Sequence, residues 1–458
     1  MNAPSLVPEG PHFPSSSPAP LTPSRKVRVL FINDTARNGG PGRSLHSILK
    51  FLDPGVVHRA VVLPREGAIA DLLRRDAVAD ELRFETNLVE NPIEPWRRSM
   101  ERRDFDVALP LKALRLGGNV FKAARAMARL AALVRRGAFD LIYCNGTNAD
   151  FAGGALSRMT GVPALWHVRY TSIPRPVAGL HRRLAAGPGV RRIVCVSRAA
   201  ARLFPHCESK VRVIHNALDV AAFDPAGVAG TLRAELGLPP DTVVFGSHGR
   251  VLRRKGYIEM IHAARRAIDA MAPAERERAA FVVVGDTPED FRPDHVEECR
   301  RLIAGLGLEE RFRMLGFRAD VRPLVADFDV AVVPSVYADP LPRAVIESMA
   351  MSKPVIAYAV GGVVEMLDAL TGELVPFDPI GDGKEGATEP AIDRLAAAMV
   401  RYARDPALRA SQGAAGRERV VRDFDARAHA ARIQREIVSA AGLARSPGGE
   451  ATAEGAAR

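Results

Sequence analysis

Residues 330–367 read VAVVPSVYADPLPRAVIESMAMSKPVIAYAVGGVVEML. The run VAVVPS (330–335) is apolar, β-branched and closed by a Pro-Ser pair, which marks a buried strand running into a loop. From Arg343 to Ala350 the apolar residues recur at helical spacing, and PVIAYA (354–359) is a second strand-like run. Strand, loop, helix and strand in that order form the βα repeat of a parallel sheet with helices on both faces.

The repeat continues upstream in VVFGSHGR (243–250), AFVVVGD (280–286) and FRMLGF (312–317). An earlier series comprises VRVLFIN (27–33), RAVVLP (59–64), DLIYCN (140–145), PALWHV (163–168) and RIVCVS (192–197). The chain has 458 residues, more than one hydrophobic core serves, so two α/β domains are expected. Pro225, Gly227, Gly230 and the Pro239-Pro240 pair interrupt regular structure between the two series and place a linker near 220–235. The predicted organisation is a disordered tail (1–25), a first Rossmann-like domain (26–225), a second (226–415), a bridging helix (416–442) and a second disordered tail (443–458). That helix rests on the amphipathic stretch 418–442, read as one long element that packs back across the domains.

Hydrophobic residues make up 47% and charged residues 26%, the balance of a soluble globular chain. The net charge of +11 favours anionic partners: nucleic acid, phosphorylated substrates or anionic lipid. No aromatic-rich basic motif supports nucleic acid, so none is expected as a partner. Cys144, Cys195, Cys207 and Cys299 are scattered without metal-ligand spacing, which fits a reducing compartment. With no secretory signal and no long apolar span in the sequence, the expected location is the cytoplasm.

Three stretches could carry chemistry. Asn38 to Ser44 (NGGPGRS) follows the first strand and leads to a helix expected from about Ser44; Gly39 and Gly40 let backbone N–H groups approach an anion. The same glycines also suit an ordinary tight turn. Gly249 to Gly256 (GRVLRRKG) lies past the strand 243–250, where open α/β sheets bind ligands, and offers Arg250 and Lys255 to a diphosphate. In the third stretch, Asp339 sits in the loop and Glu347 eight residues later, two helical turns in. There the N–H groups of Arg343 and Ala344 suit a phosphate, and the carboxylates suit sugar or ribose hydroxyls.

The third stretch resembles the Glu-x7-Glu region of the retaining GT-B family called glycosyltransferases group 1 or family 4. The likeness takes in Pro334-Ser335, Asp339, Glu347-Ser348-Met349-Ala350, Lys353 to Ala357, Gly361-Gly362, Glu365 and Thr371-Gly372. It extends to Gly249-Arg250, Lys255-Gly256, the segment Val213 to Asn216 with Asp219 and Phe223, Gly39-Gly40 and Trp166-His167-Val168-Arg169, covering roughly residues 27–430.

The resemblance implies a GT-B fold, two facing Rossmann-like domains with parallel sheets and a C-terminal helix crossing back. It implies a UDP-, GDP- or similar nucleotide-sugar as substrate, with no cofactor and no metal. Arg250 and Lys255 would hold phosphates, Glu347 the ribose and Asp339 the sugar, with Gly39, Gly40, Leu341, Arg343 and Ala344 also on the donor. His167 would touch the transferred sugar from the first domain, and the acceptor would lie against that domain. Asp339 stands where many members have Glu, and Pro342 where many have Gly, so sugar-facing contacts differ in detail. A nucleotide-sugar epimerase or phosphorylase and a catalytically silent homologue are the rival readings. Lys112 to Arg136 has apolar and basic faces. It is read first as a helix on the first sheet, and second as a weak contact with an anionic membrane carrying a lipid-linked acceptor.

Overall fold

A computed structural model describes residues 23, 25–36, 39–86, 109–288, 294–381 and 385–443, without the side chains of 109–117, 119 and 120. Both tails expected from the sequence lie outside them, apart from residues 23, 25 and 443. The first sheet contains β1 (Val27–Asn33), β2 (Val57–Leu63), β3 (Glu81–Phe84), β4 (Leu141–Asn145), β5 (Ala164–Val168), β6 (Val190–Cys195) and β7 (Val211–Val213). Its order is β3-β2-β1-β4-β5-β6-β7, with every pairing parallel. The second contains β8 (Val243–His248), β9 (Ala279–Val284), β10 (Phe312–Met314), β11 (Val330–Val333), β12 (Val355–Tyr358) and β13 (Gly372–Val375). Its order is β10-β9-β8-β11-β12-β13, again parallel throughout.

Each sheet reverses its winding direction once, between β1 and β4 and between β8 and β11. At such a point the loops leave in opposite directions and open a crevice past the carboxyl ends of the strands. The two crevices face one another. Asn216 reaches the carbonyl of Leu341, Thr171 that of Ala338 and Arg43 that of Ala319, all across the domain boundary.

The chain crosses between domains twice, side by side. On the way out, Leu218 donates to the Phe424 carbonyl at 3.0 Å; on the return, Ala426 donates to the Leu218 carbonyl at 2.9 Å. The terminal stretch expected as one helix is two, Pro406–Asp423 and Ala426–Ala441. Asp425 breaks it, because its carboxylate accepts from Arg427 N and Ala428 N and starts a new helix. The first of the pair packs on the helix Arg343–Ala350. The second returns to the first domain, where Ile433, Ile437 and Val438 join the core of Val29, Phe31 and Leu45. Each fully buried side chain of that size contributes about 1.5–3 kcal/mol, which pins the return.

The helix Leu109–Arg136 packs Leu130, Ala131 and Val134 into the core of the first sheet. Among the described residues no helix is long and apolar enough to cross a membrane.

Gly256 fixes the loop after β8. Its φ of +76° lies in the left-handed region, and a Cβ there would meet the Pro334 carbonyl oxygen at 1.8 Å. Gly256→Ala is therefore expected to lose about 3 kcal/mol or more of stability in thermal unfolding, because the clash is with backbone that cannot rotate away.

Candidate active site at the domain boundary

The sequence after β8 turns at Gly249 and carries Arg250 to Lys255 over the carboxyl end of β11. Lys255 Nζ there meets Asp339 Oδ2 at 2.5 Å, and the Tyr337 hydroxyl donates to the same oxygen at 2.9 Å. Asp339 is 5% exposed. Burial alone would raise its pKa, but Lys255, Tyr337 and the charge of Arg250 hold the carboxyl below its usual range. Tyr337 is in turn flanked by Arg254, 5.0 Å from its ring centre. Arg253 faces away and makes a forked pair with Glu259 at 2.7 and 2.8 Å, so it belongs to the scaffold.

One helical turn into Arg343–Ala350, Glu347 is 6% exposed. Its Oε1 accepts from Arg343 Nε at 3.1 Å and its Oε2 faces His248 Nε2 at 3.1 Å. Burial opposes the charge, yet Arg343, His248 and Arg43 bring its pKa down to about 2, so a carboxylate is held ready. The helix starts at Pro342, and no side chain caps it. Its first N–H groups and its dipole point into the crevice, where an anion is favoured. Leu341 puts its side chain in the core, 3% exposed, so only its backbone remains available to a donor. Gly361 and Gly362 allow the next loop to lie on this one: Gly362 N donates to the Asp339 carbonyl at 2.8 Å. A Cβ on Gly362 would meet the Pro340 carbonyl oxygen at 1.9 Å.

Across the boundary, the helix expected from Ser44 begins earlier, at Gly40, with Gly39 at its N-cap. The Gly-Pro-Gly run conceals that start, because Pro41 suits a first turn that needs no donor. Among the described residues, a Cβ on Gly39 or Gly40 would meet nothing within 4 Å. Asp34, at the end of β1, accepts from Asn148 N, and burial raises its pKa to about 6.

His167, expected against the transferred sugar, is buried. Strand alternation in β5 turns it to the same side as Leu165, beneath the helix Ala426–Ala441, and it is 0% exposed. The Tyr143 hydroxyl and Arg169 Nη2 both donate to its Nδ1, so the proton sits on Nε2, which has no partner among the described residues. Burial, with Arg169 and His429 nearby, pushes its pKa well below the usual value and keeps it neutral. In this geometry it lies under the returning helix and bonds Arg169, the residue after β5, which reaches the boundary.

Three residues outside the sequence-based candidates complete the first-domain wall. Arg169 Nε donates to Asn145 Oδ1 at 2.7 Å, and Nη1 bonds Asn216 Oδ1. Asn145 ends β4 and bonds Asn33 at the end of β1, and Asn216 lies on the outgoing crossing. A second lock lies beside it: Glu365 accepts from Arg198 N, Ala199 N and His215. Among the described residues no three His, Cys, Asp or Glu side chains gather as a metal site would.

Comparison with known proteins agrees with this geometry. The family model described as Glycosyltransferase Family 4 matches residues 91–222, and that described as Glycosyl transferases group 1 matches residues 241–403. The chain is 31% identical over 230 residues to alpha-maltose-1-phosphate synthase of Mycobacterium tuberculosis, covering 49% of this chain and 55% of that one. It thus spans about half the length of that relative. D-inositol 3-phosphate glycosyltransferase of Kribbella flavida is 28% identical over 316 residues, covering 64% and 70%. Among solved structures, Anabaena HepE in complex with UDP-glucose superposes with a TM-score of 0.69 at 23% identity, covering 90% of this chain and 99% of that one. A glycosyltransferase from Rickettsia africae gives 0.64 at 19%, covering 90% and 99%. With two facing parallel sheets, a returning helix and both domain matches in sequence, the chain belongs to the GT-B glycosyltransferases of group 1 and family 4.

Proposed function

We propose that the protein transfers a sugar from a nucleoside-diphosphate donor to an acceptor seated on the first domain, with retention of anomeric configuration. The observation that carries this reading is the pairing of two buried carboxylates with fixed cations at the carboxyl ends of β8 and β11. Asp339 is held by Lys255, and Glu347 by Arg343 and His248. In this reading Arg250 and Lys255 take the diphosphate, Glu347 a ribose hydroxyl and Asp339 a hydroxyl of the sugar. The structure of Anabaena HepE in complex with UDP-glucose supports a uridine donor, with GDP-sugars the next class to test.

Departure of the nucleoside diphosphate builds negative charge on the leaving oxygen, and Arg250, Lys255 and the Arg343–Ala350 helix terminus face where it builds. Among the described residues the carboxylate assigned to the sugar, Asp339, is engaged by Lys255, and in this reading it does not act as a covalent nucleophile. The acceptor oxygen therefore forms its bond to C1 on the face from which the diphosphate leaves. The C1–O bond to phosphate breaks, and the acceptor proton passes to the departing phosphate oxygen.

The relatives' names include acceptors as different as inositol 3-phosphate, 2-deoxystreptamine and a GlcNAc-diphosphoundecaprenol, so the acceptor class is left to experiment. In this reading the enzyme works in the cytoplasm, with a lipid-linked acceptor at the inner membrane face among the options. The test is incubation of the full chain with a panel of UDP- and GDP-sugars while following diphosphate release. Turnover with at least one donor, lost in Arg250→Ala, is expected; no release with any donor would overturn the assignment.

A further inference from the structure

Arg169 is a half-buried cation at the domain boundary that makes no direct ion pair with a described residue. Its three recorded partners, Asn145 Oδ1, Asn216 Oδ1 and His167 Nδ1, are all neutral. Among the described residues, no carboxylate lies within 4.0 Å of its guanidinium. Desolvation, with the like charge of Arg343 across the domain boundary, brings its pKa down to about 10, and Tyr143 and the more distant Asp34 offset this only in part. Glu347 does not relieve this, because it already serves Arg343, His248 and the charge of Arg43. A guanidinium that faces a cleft and bonds only neutral partners favours an anionic ligand there.

We propose that Arg169 is a phosphate-binding residue of the first domain, which together with Arg343 of the second seats one phosphate group across the boundary. Five N–H groups project from a guanidinium, and the three bonds above use three of them. The remaining two are available to a ligand. A planar carboxylate is satisfied by one guanidinium fork, whereas the oxygens of a phosphate point in several directions and suit two forks approaching from opposite walls. Asn145, Asn216 and His167 hold the fork in place before any ligand arrives. The phosphate is either the distal one of the donor diphosphate or one carried by the acceptor. The inference rests on the nucleotide-sugar reading for its ligands, but Arg169 can be tested without it.

The full chain is compared with Arg169→Met and Arg169→Lys. Calorimetry gives the affinities for UDP and UMP, and thermal unfolding is followed with inorganic phosphate added to free and UDP-saturated protein. If the phosphate is the donor's, Arg169→Met lowers the UDP-to-UMP affinity ratio about tenfold. If it is the acceptor's, that ratio holds, and the stabilisation by inorganic phosphate seen in UDP-saturated wild type disappears in Arg169→Met. Arg169→Lys, which keeps the charge without the fork, falls between in either case; it is the deciding variant if Arg169→Met does not fold. A folded Arg169→Met that matches wild type in both measurements overturns the proposal and leaves Arg169 as a structural tie. Should wild type bind no nucleotide, the donor reading fails by itself, and phosphate stabilisation of the free protein still decides Arg169.

Discussion

Glu347→Ala is expected to raise the donor KM about 10- to 100-fold, the worth of one hydrogen bond from a ribose hydroxyl to a charged group. Stability should fall as well, because Arg343 and His248 lose the carboxylate that both contact, and breaking a buried pair on one side costs about 3 kcal/mol or more. The same contacts give a pH dependence. The folded pKa of Glu347 is about 2 against an ordinary 4.5, so this carboxylate stabilises the fold fully above about pH 4.5. That contribution, about 3 kcal/mol, is lost as pH falls toward 2. Acid unfolding of wild type should therefore be steeper over that window than acid unfolding of Glu347→Ala. Urea midpoints measured from neutral pH downward would show it, and parallel curves would argue against the buried pair.

Lys255→Met is expected to reduce kcat by about 10²- to 10³-fold, the usual loss when a preorganised group opposite a developing oxyanion is removed. It also leaves Asp339 buried without its cation. Lys255 is a main reason that this carboxyl titrates low, so its removal lets burial push the pKa up. Residual activity should consequently fail at a higher pH on the acid side than in wild type. Adding Asp339→Asn removes the stranded charge: the double variant should recover stability but not turnover. Recovery of both would mean that the pair is structural only.

These two residues were visible in the sequence because each follows a strand that is buried on both faces. Such strands show as apolar runs, unbroken in β9 and β11 and interrupted only near their ends in β1, β2, β4 and β8. The strands that went unread are β3, β7 and β13, all at sheet edges, where exposure admits polar residues such as Glu81, Arg212 and Glu373. Within the site, Arg250 and Lys255 follow from one local stretch of chain and Asp339 and Glu347 from another. Arg169, Asn145 and Asn216 do not, because their meeting depends on the ends of β4 and β5 and the outgoing crossing converging in space. The Trp166-His167-Val168-Arg169 motif marked the right strand end. What separates His167 from Arg169 is that β5 ends at Val168, so the arginine leaves the sheet for the boundary while the histidine stays under the returning helix of residues 426–441.

The central claim is that a nucleoside diphosphate lies across the carboxyl ends of β8 and β11. Calorimetric titration of the full chain with UDP and with GDP tests it most directly. One of the two should bind at a single site, with affinity lost in Arg250→Ala and weakened in Glu347→Ala but unchanged in Arg278→Ala, whose side chain is exposed elsewhere on the second domain. Binding that survives Arg250→Ala and Glu347→Ala alike, or no binding of either nucleotide, would contradict the account.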